Sequence, residues 1–376
     1  MNFEPSTWKQ IEFNTRMNLA TEGQTMSQVI LGPSGSGKSH WCKFTLPHIV
    51  ADVKECDVAD VSVVFSQPSV KDSQEYCGLG LPQKREDGRI ATRFSIPQLL
   101  EEIEAALESG KKWVIVILDE LAACNDDMQK TLAPMLDKGD RRLGDFQIPD
   151  NVIPVATGNR VKDRAGSKNL LQHLVNRCDL IELVIDHSEF IQHHKDNGGH
   201  PLVIACAEAN HDWFEESPTE YRSFCTYRSA TAVSDLLFAF EKLNPEWDGL
   251  ISRELQTSIS YKIGVKAASV LQVVSRDVLH DIPSAEDIMQ FPDRANVPNN
   301  TGYQMFAVNR AIANLTERDS EAANNVFTYI ARCRPDLQIS LGVKLCKAAT
   351  RKGLSLSSDI ANSFMIKHHD LLSLTV

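Results

Sequence analysis

The octapeptide GPSGSGKS, Gly32 to Ser39, constrains the fold more than any other stretch of the chain. It lies between an apolar run that ends at Leu31 and a helix-forming segment that begins near Lys38. The pattern is Gly-x-x-x-x-Gly-Lys-Ser. A loop of this kind turns successive backbone N–H groups inward on an anion, which requires glycine wherever a side chain would collide. The helix that follows aims the positive end of its dipole at the same point. In that arrangement Lys38 reaches the β- and γ-phosphates of a nucleotide, and the Ser39 hydroxyl ligates Mg2+. The candidate nucleotide-contacting set is Gly32, Pro33, Ser34, Gly35, Ser36, Gly37, Lys38, Ser39 and His40. The competing reading is a chance Gly/Ser turn, and the strand-like run before it and helix after it weigh against that.

A phosphate loop needs a sheet behind it. Five short runs supply candidate strands: QVIL (28–31), VSVVF (61–65), WVIVIL (113–118), VIPVAT (152–157) and LIELVI (180–185). They are near-continuous in apolar residues, as parallel strands covered on both faces are. Helical patterns alternate with them. The clearest is 97–110, where Leu99, Leu100, Ile103, Ala106 and Leu107 share a face, Pro97 suits the first turn and Gly110 the stop. The expected fold is α/β, with helices layered on a parallel sheet. Two stretches break the repeat. Residues 69–94 hold the hairpin-type turn Asp87-Gly88, and GDRRLGDFQIP (139–149) reads as a second hairpin. After Asp186 the strand signals stop, and the remainder reads as mostly helical, punctuated at 187–201, 215–219, 244–249 and 291–301. A boundary near Pro218 divides an α/β core with two hairpin insertions (1–217) from a helical region (218–376).

Length and charge set further bounds. The chain has 376 residues, enough for two domains, and a net charge of −11. That charge argues against a general nucleic-acid coat, which rests on cationic surface, and leaves a local basic patch open. The nine cysteines (Cys42, Cys56, Cys77, Cys124, Cys178, Cys206, Cys225, Cys333 and Cys346) are scattered with no C-x-x-C pair, so most are read as buried, reduced, small hydrophobes. The N-terminal MNFEPSTWKQIEF has no apolar core of signal-peptide length and no run approaches a membrane span, so a cytoplasmic protein is expected.

The third apolar run ends in Asp119-Glu120. A carboxylate at a strand tip beside a phosphate loop suits Mg2+, a role for Asp119, and the next carboxylate suits a general base for water, a role for Glu120. A solvated acidic pair capping a strand is the plainer reading. The fourth run ends in Gly158-Asn159, and Asn159 could orient water against a γ-phosphate or simply serve a turn. No guanine-type N-K-x-D follows, since residues 159–163 read NRVKD, which leans toward adenine. Arg177, at the end of a helix before the last strand, either favours the helix C-terminal dipole or is a finger toward a neighbouring subunit's nucleotide. Arg228 begins a helix whose apolar face is Val233, Leu236, Leu237 and Phe240. A cation there costs about 0.3–1 kcal/mol, a conflict that a bound phosphate would remove.

Together GPSGSGKS, VILDE (116–120), VATGN (155–159), LVNR (174–177) and CTYRSATAVSDLL (225–237) resemble, in order and spacing, the AAA+ ATPases. The segment 128–159, with a hairpin ahead of the fourth strand, is similar to the MoxR-like branch, which includes NorQ and gas-vesicle ATPases. The resemblance implies a P-loop core with a five-stranded sheet of order 5-1-4-3-2, a C-terminal helical lid and a helical tail. It implies ATP and Mg2+ at the interfaces of a homo-oligomeric ring, usually a hexamer. It assigns Ser39 and Asp119 to magnesium, Glu120 as base, Asn159 as first sensor, Arg177 as finger and Arg228 as second sensor, with Lys38 on phosphate. It also implies remodelling of a protein client or insertion of a metal or cofactor, often with a von Willebrand A-domain partner, and hairpins that face a pore or partner. Tyr227 stands where the family tends to place proline before the second-sensor arginine, and Arg141, Arg142 and Arg164 are further candidate fingers.

Two other readings share this core: a nucleic-acid motor or loader, and a nucleotide-controlled scaffold without turnover. Net charge and the lack of a recognisable DNA-binding module weigh against the first, and the Asp119-Glu120 pair against the second. His193, His194 and His200 in HHKDNGGHP read as a solvated polar loop rather than a metal site. Lys84, Arg85, Arg89 and Arg93 read as hairpin surface, with the alternative of gripping an acidic client. Trp213-Phe214 reads as helix packing.

Overall fold

In the computed structural model, residues 5–163, 166–215, 222–317 and 319–368 are described. The strands are β1 (Pro5–Ser6), β2 (Ser27–Leu31), β3 (Val61–Ser66), β4 (Gly80–Lys84), β5 (Ile90–Phe94), β6 (Trp113–Leu118), β7 (Arg142–Leu143), β8 (Phe146–Gln147), β9 (Val152–Gly158) and β10 (Cys178–Leu183). The chain divides into two compact units, 1–186 and 187–376.

The first unit is built on a six-stranded parallel sheet of order β1-β10-β2-β9-β6-β3. Without β1 this is the expected order 5-1-4-3-2. The sixth strand, β1, is an addition: it is only two residues long and pairs with Glu182 and Leu183 at the sheet edge, too short to leave a periodic signal in the sequence. The last strand also begins and ends two residues earlier than its apolar run. Central strands are buried on both faces, β9 along its whole length. Pro154 is accommodated inside β9 because the ladder to β2 begins one residue later, at Val155.

One face of the sheet packs Val29, Val114 and Val116 against helices Gln98–Glu108 and Asp126–Leu136. The other packs Ile30, Ile115 and Ile117 against the helix Trp8–Ala20 and the helical run 38–53. The first of these helices starts after Pro97 and the second after Asn125, whose side chain accepts from Met128 N at 2.8 Å. The run 38–53 contains a π-helical stretch, Trp41–Thr45, directly after the phosphate loop, a feature enriched at functional sites. Both expected hairpins form, β4–β5 and β7–β8, antiparallel in each case.

The second unit, among its described residues, is helical, from His187–Asp196 to Asp359–Lys367. The division at 186/187 falls earlier in the chain than the boundary expected near Pro218, which lies outside the described residues. Helix Pro201–Ala209 is nearly all apolar and sits in the core of this unit with Val233, Leu237 and Ile259. The histidine segment is not the solvated loop expected. His193 and His194 belong to helix His187–Asp196, with His194 buried, and buried His200 caps the next helix. The helical run Arg253–Asp281 is broken at Gly264, whose φ is 80°. No described helix is long and apolar enough to cross a membrane. The nine cysteines are free and seven are buried. Burial pushes the Cys124 thiol up to about 11 and Cys178 to about 12, which keeps both as unreactive thiols.

Candidate nucleotide-binding site

Parallel register brings the C-terminal ends of β2, β9 and β6 side by side: Leu31 pairs with Gly158, and Ala156 with Leu118. The residues just past those ends are Gly32, Asn159 and Asp119, so the sheet itself assembles the site. Gly32 N donates to Gly158 O at 3.1 Å, and Asp119 N to Ser66 O at 2.9 Å.

Lys38 is buried, and its ammonium donates to the carbonyls of Gly32 (2.9 Å) and Pro33 (2.7 Å) and to Asn159 Oδ1 (3.1 Å). Ser36 Oγ also donates to Pro33 O at 2.8 Å, which closes the loop on itself. Ser34 is half-buried and Gly35 is buried with φ of 73°. Gly37 has φ of 92°, and a Cβ built there would meet nothing within 4 Å. The loop thus has the left-handed turn that glycine permits and open space in front of it, a cradle of the kind a phosphate group occupies. His40 is exposed and rests on the Phe44 ring at 4.6 Å.

Ser39 Oγ donates to Asp119, lying 2.9 and 3.0 Å from its two carboxylate oxygens. Thr157 Oγ1 donates to the same carboxylate. Two hydroxyls and one carboxylate form an all-oxygen set suited to a hard divalent cation. Glu120 follows with φ of 59°, a left-handed backbone at a non-glycine residue. Its Oε2 accepts from Gln67 Nε2 at 2.7 Å and Ser69 Oγ at 3.1 Å, both just past the end of β3. Gln67, Ser69 and Thr157 are the site residues that sequence reasoning missed. All three are common polar residues whose part depends on tertiary placement; the only signal was that each lies at or just beyond a strand's C-terminal end.

The arginines separate. Arg177 precedes Cys178, which pairs with Ser27 at the start of β2. It therefore stands at the N-terminal edge of the sheet, away from the phosphate loop of its own chain, where it pairs with Asp137 at 3.0 Å. Arg141 is fully buried. It donates to Ser27 Oγ (2.7 Å), Met135 O (3.0 Å) and Thr25 O, so it is internal scaffolding and not a candidate finger. Arg142 pairs with Asp140 at 2.9 Å on the surface. Arg164 lies outside the described residues. Arg228 belongs to the second unit, exposed at the second position of helix Tyr227–Leu243, whose start is closed by a Thr226–Ser229 capping box. Trp213 and Phe214 are buried, with Trp213 Nε1 donating to Ala267 O at 3.0 Å.

No protein-family model matches the chain, and no curated protein matches it. Among solved structures, the chain is similar to NtrX from Brucella abortus in complex with ADP, at 15% identity and a TM-score of 0.38, over 100% of this chain and 70% of that one. It is similar to the ORC1 protein of Aeropyrum pernix in complex with DNA, at 13% identity and a TM-score of 0.40, over 98% and 84% of the two chains. It is also similar to a RuvB variant from Thermotoga maritima, at 13% identity and a TM-score of 0.30, over 96% and 87%.

Proposed function

We propose that the chain is an Mg2+-dependent ATP hydrolase of the AAA+ type that works as a homo-oligomeric ring, in the manner of MoxR-like proteins, to remodel or assemble a protein complex. The observation that carries the reading is the meeting of Lys38, Ser39, Asn159 and Asp119 past three neighbouring strand ends, with the serine hydroxyl on the aspartate at 2.9 Å and the lysine on the asparagine at 3.1 Å. Lys38 would exchange its bonds to the Gly32 and Pro33 carbonyls for phosphate oxygens. Ser39 and Asp119 would hold Mg2+, with Thr157 fixing the Asp119 carboxylate. The metal, when bound, supplies charge neutralisation on the phosphates. Glu120 would accept a proton from the attacking water at its carboxylate once Gln67 and Ser69 release it. Asn159, already on Lys38, would orient that water. Arg177, on the far edge of the sheet from its own loop, would serve a neighbouring copy as its finger. Arg228 would act as the second sensor.

Phosphate release from ATP by the purified chain tests this. The wild type is expected to hydrolyse ATP, Lys38→Ala to abolish it, and Glu120→Gln to slow it at least about 100-fold, the usual worth of a general base. Undiminished turnover in Lys38→Ala would overturn the reading. In the same samples the mass with ATP and Mg2+ reports the ring. A monomer that still turns over would remove the trans role of Arg177 and leave a single-chain site.

A further inference from the structure

The ribbon β4–β5 is exposed on both faces, with Ala91 alone among its strand residues partly covered. A two-stranded ribbon without packing is marginal in water. This one also carries Leu81 (54% exposed) and Ile90 (76%) into solvent. Its register pairs Leu81 with Arg93 and Lys84 with Ile90, so apolar and cationic side chains share both faces, and Arg85 and Arg89 close the turn. Four cations, Lys84, Arg85, Arg89 and Arg93, stand against Glu86 and Asp87 in a chain of net charge −11. Among the described residues Lys84, Arg85 and Arg93 make no ion pair, and Arg89 has only Asp87 at 3.7 Å.

The opposite surface follows within a few residues. Helix Gln98–Glu108 exposes Glu101, Glu104 and Glu108 at spacings of three and four, one face of like charges, and none has a cationic partner among the described residues. Like charges at these spacings destabilise a helix. Ile96, 48% exposed, stands beside the helix start and adds apolar surface next to the carboxylates. Ribbon and helix are complementary in charge and both carry uncovered apolar area, yet within one chain they leave each other's charges unpaired.

We propose that the β4–β5 ribbon of one copy docks on the Gln98–Glu108 helix of a second copy of this chain through the face that carries Leu81 and Arg93, with Arg89 and Arg93 against Glu104 and Glu108 and Leu81 covering Ile96. The occupant is a second copy because the chain itself carries the complementary carboxylate face. A nucleic acid would satisfy the cations but not Leu81. The inference makes no use of the phosphate loop; it names one contact between copies, which the proposed ring leaves unspecified.

Sedimentation velocity of the full chain over a concentration series, with and without ATP, tests it. The double variant Arg89→Glu with Arg93→Glu is expected to weaken self-association at least about tenfold, as reversed charges across an interface do. Adding Glu104→Arg and Glu108→Arg to that chain is expected to restore it. These residues are exposed, so folding is preserved, and rescue by the second pair separates lost complementarity from general damage. Association unchanged in the double variant, further weakening in the quadruple variant, or a wild type that stays monomeric at every concentration would each overturn the proposal. Unchanged association together with lost binding of a single-stranded oligonucleotide, or of a polyglutamate peptide, would overturn it in favour of that ligand. Phosphate release measured alongside keeps the two proposals distinct: its absence counts against the ATPase and leaves the docking result to be read by itself.

Discussion

Glu120 shows how the site is set at the scale of a residue. Its backbone takes φ of 59° and its carboxylate is held by Gln67 and Ser69. A non-glycine residue in the left-handed region persists only where its neighbours hold it, and such strain gathers at functional sites. The hold also commits Oε2 of the carboxylate to protein donors. Gln67→Ala is therefore expected to raise basal phosphate release severalfold with nucleotide affinity unchanged, read from steady-state turnover against equilibrium binding of ATP. A fall in turnover would mean that Gln67 aims the base instead of restraining it. Arg141 makes the contrasting case. Its buried guanidinium is pushed down from its ordinary value to about 10, first by burial, while Asp137 and Asp150 oppose the shift, so it stays charged at neutral pH. Arg141→Ala would strand the carbonyls of Thr25 and Met135 and is expected to cost about 3 kcal/mol. Arg142→Ala, on a surface pair, should stay within about 0.5 kcal/mol. Denaturant midpoints of the two variants check this, and equal midpoints would contradict it. Lys38, Ser39, Asp119 and Glu120 were legible in the sequence because phosphate and metal chemistry restrict residue type and spacing. Gln67, Thr157 and Arg141 were not, because their partners lie far away in the chain.

At the scale of elements, legibility followed burial. Strands β2, β6 and β9 read as apolar runs because both faces are covered, β3 and β10 kept enough apolar residues to read although they are only partly covered, and the helix after Pro97 read from its stripe and its stops. The short strand β1 and the π-helical stretch Trp41–Thr45 left no pattern to read, since one is two residues long and the other depends on the loop before it. Helix His187–Asp196 was missed because its polar HHKD end looks solvated, although His194 packs on the Phe190 ring at 3.9 Å. Gly264 was likewise invisible. Its φ of 80° breaks the run Arg253–Asp281, and a Cβ there would lie 2.3 Å from the Ser223 carbonyl oxygen. Gly264→Ala therefore meets both a left-handed backbone and a rigid clash and is expected to cost about 2 kcal/mol or more. Urea unfolding of the second unit reads the loss, and a neutral result would show that the break relaxes into continuous helix.

At the scale of the whole molecule, the two units should answer acid differently. Among its described residues the second unit buries two imidazoles. Burial, aided by His193 and opposed by the Phe190 carbonyl, lowers His194 from 6.5 to about 4. Burial also lowers His200, against the opposing pull of Glu241. The first unit's His40, His48 and His173 are all exposed. A base whose folded value lies below its unfolded one stays neutral in the fold while the unfolded chain gains a proton. The stability at stake is fully present above pH 6.5, declines as pH falls toward about 4, and is lost below that. For His194 the loss reaches on the order of 2 kcal/mol near pH 5. Hydrogen exchange, corrected for its intrinsic pH dependence, should show helices His187–Asp196 and Pro201–Ala209 losing protection between pH 7 and 5 while β6 and β9 keep theirs. His194→Phe, which keeps the ring and removes the titration, should flatten part of that decline. Equal loss of protection in both units would mean that carboxylates govern the acid response. Because the sheet that carries the phosphate loop would outlast the helical unit, nucleotide binding to the loop should persist at a pH where any contribution from Arg228 has gone. A parallel fall of both with pH would argue that the two units unfold as one.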